Sequence, residues 1–305
     1  MSAGAATTIH RVSTDDAVEL HVEDTGEGPP IVFVHEFSAD ASSWEPQVRA
    51  LSRRNRCVAF NARGYEPSDV PEDPDAYSQD RAVLDVLAVM DGLSIERAHL
   101  VGASMGAFTA LHVARREPER ARSVVLSGCG YGSSPESRVR FREECAAIAA
   151  AYSEQGSAAV APVYAEGPAR VQYQNKDPRG WAEFADKLAR RNATGAALTV
   201  LGVQRERPSL HDLRGELGAM ETPTLIVAGD EDDGVLGTSL MLKRTMRSSA
   251  LLILPRSGHV CNLEEPDRFN QALTDFYGQV DAGRWAMRDS RSLSGSITGV
   301  GAEQS

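Results

Sequence analysis

Short apolar runs alternate with amphipathic stretches along the first part of the chain. The amphipathic stretches have helical spacing and begin near Ser43, Ser78 and Met105. The apolar runs lie at residues 31–34, 57–60, 98–101 and 123–126, and a half-exposed run precedes them at Ala17 to Glu23. Short buried strands that alternate with helices need crossover connections, so this pattern predicts a mainly parallel sheet with helices on both faces.

The alternation is interrupted near residue 133 and resumes near residue 221. Helix-like stretches without a convincing strand occupy residues 138–152, 180–191 and 196–204. Strand character returns at residues 224–228 and 251–254, and a closing helix runs from about Pro266 to Val280. We therefore predict a core formed by residues 1–132 and 221–288, an inserted helical cap at 133–220, and a Gly/Ser-rich flexible tail at 289–305.

Composition limits the partners and the location of the protein. The 305 residues are 42% hydrophobic and 25% charged, which is typical of a globular chain. The 43 acidic and 32 basic residues give a net charge of -11, which disfavours nucleic acid and anionic membranes as partners. Met1 to Thr8 lacks a leader pattern, and no apolar stretch is long enough to span a membrane. We expect a cytoplasmic protein with a small-molecule substrate, and a homodimer remains open.

The four cysteines are scattered along the chain and form no Cys-x-x-Cys pair. This spacing disfavours metal binding and redox chemistry, and it favours buried, reduced thiols. We expect neither a metal site nor a cofactor.

A Gly-x-Ser-x-Gly motif lies between the strand at residues 98–101 and a helix-like stretch. It runs from Gly102 to Gly106 and is centred on Ser104. Small neighbours allow a serine on a sharp strand-to-helix turn to present its hydroxyl to solvent, where it can act as a nucleophile. The Met105 N–H at the start of the helix is then a candidate oxyanion donor. The alternative is a tight turn whose serine only caps the helix.

A nucleophilic serine needs a base and a group that orients the base. Among the seven histidines, His259 stands in a loop directly after the last predicted strand, whereas His99 lies within a strand and His112 within a helix. The carboxyl edge of a parallel sheet is where such loops meet, so His259 is the candidate base. The acid should follow a strand too, and the loop at residues 229–233 carries four carboxylates in a row.

The elbow, the strand that ends in Gly-Asp-Glu-Asp and the late Gly-His resemble the α/β-hydrolase superfamily over about residues 15 to 280. The resemblance implies a doubly wound, mostly parallel, eight-stranded sheet with an inserted helical cap. It also implies a triad in the order serine, acid, histidine, which is Ser104, Asp232 and His259 here, with Asp230 or Asp233 as the fallback acid.

Within the superfamily, the chain is most similar to enol-lactonases and carbon–carbon bond hydrolases. The similarity lies in the histidine loop at residues 258–266 and in an Arg-Gly and Ser-Asp signature at residues 61–64 and 68–69, where Asn61 replaces the usual aspartate. It implies a serine hydrolase that acts on a small or medium carboxylic ester or lactone. The alternatives are a hydrolase of vinylogous diketones, a perhydrolase or cofactor-independent oxygenase, and a non-catalytic binding protein.

The resemblance places a second oxyanion donor, the Phe37 N–H, in a turn that is usually His-Gly but is His35-Glu36 here. Glu36 turns away, contacts a substrate group, or is protonated through burial. In the cap, Tyr152 and Trp181 are candidates for substrate binding together with Glu36, although such aromatic residues also form cap cores. A polar group at Arg170, Gln172, Gln174 and Asn175 is either a second binding surface or simply solvated.

Overall fold

The computed structural model describes residues 6–293. Its eight strands form one sheet in the order β1-β2-β4-β3-β5-β6-β7-β8. Their bounds are β1 Thr7–Ser13, β2 Glu19–Thr25, β3 Pro30–Val34, β4 Arg56–Phe60, β5 Ala98–Ala103, β6 Ala121–Ser127, β7 Thr224–Gly229 and β8 Ser249–Leu254. The β1–β2 and β2–β4 pairs are antiparallel and the remaining pairs are parallel. The predicted mostly parallel, eight-stranded sheet is therefore confirmed.

Helices pack on both faces of this sheet, and a further group of helices is inserted along the chain between β6 and β7. Those of the sheet region are α1 Glu45–Leu51, α2 Gln79–Gly92 and α3 Met105–Arg116. Between β6 and β7 lie α4 Pro135–Gln155, α5 Ser157–Ala165, α6 Val171–Lys176, α7 Pro178–Arg190, α8 Ala193–Leu198, a π-helical turn Thr199–Arg205 and α9 Arg214–Ala219. The last part of the chain adds α10 Asp233–Thr245, α11 Cys261–Glu264 and α12 Pro266–Asp281.

The inner strands from β3 to β7 are buried on both faces, because successive side chains point to opposite sides and helices cover each side. Val32, Leu100 and Leu126 belong to one apolar cluster, which is completed by α2, α3 and α10. Their strand neighbours Phe33 and Val101 belong to another, which is completed by α1 and α12. The near-continuous apolar runs in the sequence therefore reflect two cores that share one sheet.

The two ends of the described chain differ from the sequence prediction. The strand β1 was not predicted, because it lies at the edge of the sheet and most of its side chains are exposed. Of the predicted tail, residues 290–293 form an exposed 3-10 turn, whereas residues 294–305 lie outside the described residues. Within residues 6–293, no helix has both the length and the apolar character needed to cross a membrane.

Residues 133–220, which we call the cap, hold six α-helices and the π-helical turn but no strand. One apolar cluster joins cap residues such as Phe141 and Tyr152 to Phe37 and Met105 of the core. A second joins Phe184 and its cap neighbours to Val260. Because Phe37, Met105 and Val260 follow strands β3, β5 and β8, the cap covers the carboxyl edge of the sheet.

The Arg-Gly signature that supported the family resemblance has a structural role here. The Arg63 guanidinium is buried and donates to Asp85 Oδ1 at 2.7 Å and to Asp16 Oδ2 at 2.8 Å. Asn61, the residue that departs from the family pattern, accepts the Ala41 N–H at 2.9 Å through Oδ1. These contacts tie the loop after β4 to α2 and to the chain before β2.

Gly106 provides a test of how closely α3 approaches the sheet. A Cβ at Gly106 would lie 2.1 Å from the Val34 carbonyl oxygen, so Gly106→Ala requires the backbone to shift. We expect it to lower the free energy of unfolding by about 1–3 kcal/mol. The control is Gly278→Ala in α12, where nothing lies within 4 Å. There, alanine should stabilise the helix by roughly 0.5–1 kcal/mol. Urea denaturation measures both, and equal effects would contradict the close approach.

Candidate active site

Four loops meet at the carboxyl edge of the sheet. The turn at residues 35–37 follows β3, and Ser104 follows the neighbouring strand β5. Asp232 and His259 follow β7 and β8, which lie next to each other on the far side of β6. The parallel topology therefore brings together residues that are far apart in the sequence.

Ser104 occupies a strained turn between β5 and α3. Its backbone has φ 49° and ψ −112°, and α3 begins at the next residue. A positive φ is costly for a residue with a Cβ, and the surrounding backbone holds this one in place. The Ser104 N–H donates to the Ser127 carbonyl at 2.8 Å, and a Cβ at Gly102 would lie 2.2 Å from the Gly106 carbonyl oxygen. Strand, sharp turn and helix therefore occur in the order that a nucleophile elbow requires.

His259 is hydrogen-bonded to Asp232. The Nδ1 atom of the ring lies 2.6 Å from Asp232 Oδ2, and the side chains are 10% and 11% exposed. Burial lowers the pKa of His259, but the charge of Asp232 and its hydrogen bond raise it by more, so the pKa lies above the ordinary 6.5. The pair holds the ring in one orientation and leaves Nε2 as the other reactive nitrogen.

The other carboxylates of the loop at residues 229–233 have different partners. Asp230 Oδ1 accepts the Ser257 N–H at 3.1 Å, and Glu231 contacts Gln172 of the cap. Asp233 is the first residue of α10. Of the four carboxylates, Asp232 is the one that is hydrogen-bonded to the imidazole.

A buried carboxylate that the sequence analysis did not single out holds the histidine loop. Glu264 accepts the Gly258 N–H at 2.5 Å and the Val260 N–H at 3.1 Å, so it binds the backbone on both sides of His259. Gly128 lies close to the imidazole, since a Cβ at Gly128 would be 3.2 Å from the His259 Nδ1 atom. Gly128 directly follows Ser127, which bonds to Ser104, and this brings the imidazole to the strand end beside the elbow. The Glu264 signal in the sequence is its place five residues after His259 and two residues before Pro266, where the closing helix begins.

The turn at residues 35–37 is fixed by its neighbours. The His35 Nδ1 atom bonds to the Glu36 carbonyl at 2.7 Å, and Nε2 accepts the Ala62 N–H at 3.1 Å. Burial lowers the pKa of His35 to about 4, so the ring is neutral and donates through Nδ1. The Tyr65 hydroxyl donates to the Phe37 carbonyl at 2.8 Å. Within residues 6–293, neither the Phe37 N–H nor the Met105 N–H donates a hydrogen bond, so both are free to bind an oxyanion.

Glu36 forms a buried ion pair with Arg170 of the cap. Their exposed fractions are 4% and 1%, and Arg170 Nη2 lies 2.5 Å from Glu36 Oε2. Ser38 joins them, since it donates to Glu36 Oε1 at 3.0 Å and accepts from Arg170 Nη2 at 2.7 Å. Burial lowers the pKa of Arg170, but the charge and hydrogen bond of Glu36, together with Tyr164 and Glu264, raise it by more, so the guanidinium is charged.

This arrangement differs from the sequence alternatives for both residues. A partner supplied by the cap was not among the possibilities considered for Glu36. The interpretation of Arg170 as part of a solvated surface is wrong, because its guanidinium lies against the rings of Tyr164 and Phe184. The carboxylate at the oxyanion turn is therefore neutralised within the protein.

The two aromatic candidates of the cap lie in its apolar clusters. Tyr152 is fully buried, and its ring centroid is 6.2 Å from that of Phe37, whose N–H is the predicted second oxyanion donor. Trp181 is half-buried in the cluster that includes Val260, and its Nε1 donates to the Ala165 carbonyl at 2.8 Å. Both therefore pack against residues next to the site, and their contact with substrate stays a prediction.

A cleft of about 780 Å³ separates α7 of the cap from the segment after the 35–37 turn. Its lining includes Ser38, Tyr65, Phe184 and Arg191. Ser104 and His259 do not line it, whereas Ser38, which is hydrogen-bonded to both Glu36 and Arg170, does.

In a second grouping of serine, histidine and aspartate, the serine and the histidine have no access to solvent. His99 Nδ1 lies 2.8 Å from Ser123 Oγ, and its Nε2 lies 3.3 Å from Asp281 Oδ1. Both His99 and Ser123 are fully buried within the sheet, and burial lowers the pKa of His99 to about 4. The sequence analysis placed His99 within a strand and preferred His259 as the base, which agrees with this buried environment. The four cysteines are buried and free, and residues 6–293 contain no cluster of three or more His, Cys, Asp or Glu suited to a metal ion.

A doubly wound sheet with serine, histidine and aspartate gathered at its carboxyl edge, beneath a helical cap, defines a class of α/β proteins. Comparison with known proteins agrees with this class. The chain belongs to the alpha/beta hydrolase fold family, whose sequence model matches residues 29–266.

Individual relatives are distant but cover most of the chain. The 3-oxoadipate enol-lactonase 1 of Acinetobacter baylyi is 26% identical over 264 residues, which is 86% of this chain and 94% of the relative. The 2-hydroxy-6-oxo-6-phenylhexa-2,4-dienoate hydrolase of Burkholderia cepacia is 28% identical over 278 residues, which is 84% of this chain and 90% of the relative. The crystal structure of the enol-lactonase from Burkholderia xenovorans LB400 superimposes with a TM-score of 0.76 at 27% identity, over 88% of this chain and 100% of that one. The expected family and its similarity to enol-lactonases and carbon–carbon bond hydrolases are confirmed.

The Glu36–Arg170 pair should couple the cap to the core. Arg170→Gln leaves the Glu36 carboxylate buried without its partner, and we expect a loss of about 3–5 kcal/mol in the free energy of unfolding. The double variant Glu36→Gln/Arg170→Gln removes both charges and should lose less. Urea denaturation of the single and double variants measures the coupling.

The control for this cycle is Arg179→Gln in the same part of the cap. Arg179 and its partner Glu183 are exposed, so this change should stay within about 0.5 kcal/mol. The second single variant of the cycle is Glu36→Gln. If the loss of unfolding free energy in the double variant equals the sum of the losses in Arg170→Gln and Glu36→Gln, the pair does not couple cap and core.

Proposed function

We propose that this protein is a serine hydrolase that cleaves a small or medium carboxylic ester or lactone through Ser104, His259 and Asp232. The observation that carries the proposal is the 2.6 Å contact between His259 and Asp232, on the same sheet edge as a serine with φ 49°. An imidazole fixed by a carboxylate is the base that a serine hydroxyl needs, because the hydroxyl is not ionised near neutral pH.

The reaction proceeds through an acyl-enzyme. Ser104 Oγ attacks the carbonyl carbon and His259 Nε2 takes the hydroxyl proton, which it then gives to the leaving oxygen. Water attacks the acyl-enzyme with His259 again as base, which releases the acid and restores Ser104. Phe37 and Met105 N–H groups bind the oxyanion, and each such donor contributes about 3 kcal/mol to lowering the barrier.

The cap favours small substrates over polymers, because it covers the carboxyl edge of the sheet, where the proposed triad lies. The choice of ester or lactone is supported by the similarity to the 3-oxoadipate enol-lactonase of Acinetobacter baylyi. Tyr152 and Trp181 are proposed as the apolar side of the substrate pocket, since both pack against residues that adjoin the triad.

A second candidate is hydrolysis of a carbon–carbon bond in a vinylogous diketone. It is favoured by the similarity to the 2-hydroxy-6-oxo-6-phenylhexa-2,4-dienoate hydrolase. The two candidates share the proposed triad, so the substrate decides between them. Parallel assays on aryl esters, enol-lactones and vinylogous diketones, with and without oxygen or peroxide, separate these activities and also detect an oxygenase or perhydrolase.

Removal of the proposed nucleophile tests the assignment directly. Ser104→Ala should lower kcat by at least about 10³-fold on any substrate of the native protein. The unfolding transition should change little, because the hydroxyl of Ser104 is replaced at a partly exposed position. An aryl organophosphonate should add one adduct mass to the native protein and none to Ser104→Ala. A folded native protein that resists labelling would instead be a non-catalytic binding protein.

The Asp232–His259 pair predicts the pH dependence. The base must be neutral, and the pKa of His259 is raised, so kcat/KM should increase with pH through an apparent pKa above 6.5. In Asp232→Asn, the burial that lowers the pKa of His259 remains while the Asp232 charge is lost, so the apparent pKa should move below 6.5 and the maximal rate should fall on the order of 10⁴-fold, as in serine proteases with the same triad.

The matched control is Asp230→Asn, because asparagine can still accept the Ser257 N–H through Oδ1. Its pH profile should match that of the native protein. A large loss in Asp230→Asn combined with an active Asp232→Asn would move the acid to the neighbouring position.

A further inference from the structure

We propose that the Glu36–Arg170 pair makes this enzyme selective for substrates that carry no negative charge beside the reacting carbonyl group. The inference rests on the proposed function, since it names the substrate class of the same site. It follows from three features of the pair: its place next to the oxyanion turn, the saturation of its charges, and its burial.

The place of the pair is set by the backbone. The Phe37 N–H belongs to the peptide group between Glu36 and Phe37, so the Glu36 side chain begins at the residue next to a proposed oxyanion donor. The charges of both Arg170 and Glu36 act on the imidazole of His259, in opposite directions. A carbonyl group bound between these elements therefore lies in the electrostatic field of both partners.

The charges of the pair are already compensated. Arg170 Nη2 donates to Glu36 and to Ser38, and Nη1 donates to the Ala169 carbonyl at 3.2 Å. The rings of Tyr164 and Phe184 lie over the guanidinium with centroids at 5.8 and 5.3 Å. Arg170 Nε is buried and has no acceptor among the described residues, so its N–H is available to a neutral oxygen.

A substrate carboxylate in this place would meet a guanidinium that is already paired and a glutamate of like charge. Because Glu36 and Arg170 are both nearly inaccessible to water, solvent screens this repulsion poorly. A carboxamide, ester or alkyl group of the same shape escapes the repulsion. The family's usual glycine has no such charge, so the selectivity depends on the residue in which this chain departs from the pattern.

Binding of two matched esters tests the inference without turnover. The probes are phenyl hydrogen malonate and phenyl malonamate, which differ in a carboxylate or a carboxamide one carbon away from the ester carbonyl. Calorimetry with the Ser104→Ala protein gives both dissociation constants. We expect the carboxamide to bind at least about tenfold more tightly, because like charges are costly at a buried site.

Two variants in the Ser104→Ala background assign this preference to the pair. Glu36→Gln leaves Arg170 unpaired, so the carboxylate should become the tighter ligand. Glu36→Gln/Arg170→Gln removes the cation as well, and the carboxylate preference gained in the single variant should disappear. The double variant has no unpaired buried charge, so the comparison remains available if the single variant unfolds. Its ratio of dissociation constants, carboxylate over carboxamide, should lie well below that of the parent.

The control is Glu183→Gln, which removes the same charge from an exposed position that lines the cleft. Its ratio of dissociation constants should stay within about twofold of the parent ratio, because solvent and salt screen exposed charges.

Tighter binding of the carboxylate by the parent protein would overturn the inference, since it would mean that substrate displaces Glu36 from Arg170. A ratio that both Glu36 variants leave unchanged would overturn it as well. Failure of the proposed function is separable: the native protein would bind phenyl malonamate with the stated preference and release no phenol from it.

Discussion

The first turn of α3 lies so close to β3 and β5 that only hydrogen atoms fit at Gly102 and Gly106. This contact forces the chain through the positive φ of Ser104 and brings the start of α3 against the backbone of Val34 and His35. The elbow and the 35–37 turn are consequently neighbours. Each has one backbone N–H group, of Met105 and Phe37, without a hydrogen-bond partner among residues 6–293. The rest of the site is arranged around this steric constraint.

Charge balance is the second condition that the site meets. A carboxylate beside the proposed oxyanion donor would oppose negative charge there, and Arg170 neutralises it from the cap, 134 residues away. Glu264 uses its own buried carboxylate differently, since it binds the two backbone N–H groups that flank His259. The cap and the histidine loop are therefore both held by buried acidic groups, and the cap contributes to the electrostatics of the site as well as to its enclosure.

Strands and helices with a strong periodic signal were predictable from the sequence. The strands from β3 to β8 are buried on both faces or against one, and their apolar runs mark them, whereas β1 at the exposed edge has no such run. The choice of Asp232 among four adjacent carboxylates came from the family resemblance, because nothing in the local composition separates them. In the structure, Asp232 contacts the imidazole, whereas Asp230 bonds to the loop backbone.

The sequence by itself determined the parallel sheet, the position of Ser104 on its elbow and the place of His259 after the last strand, because each depends on periodicity or on neighbours within a few residues. Only the tertiary structure decided that Glu36 is paired, that Arg170 is buried and that Glu264 holds the histidine loop. These side chains are polar and lie on loops or short helices, where burial leaves no periodic signal. Their partners are set by the packing of the cap and of the closing segments against the sheet edge.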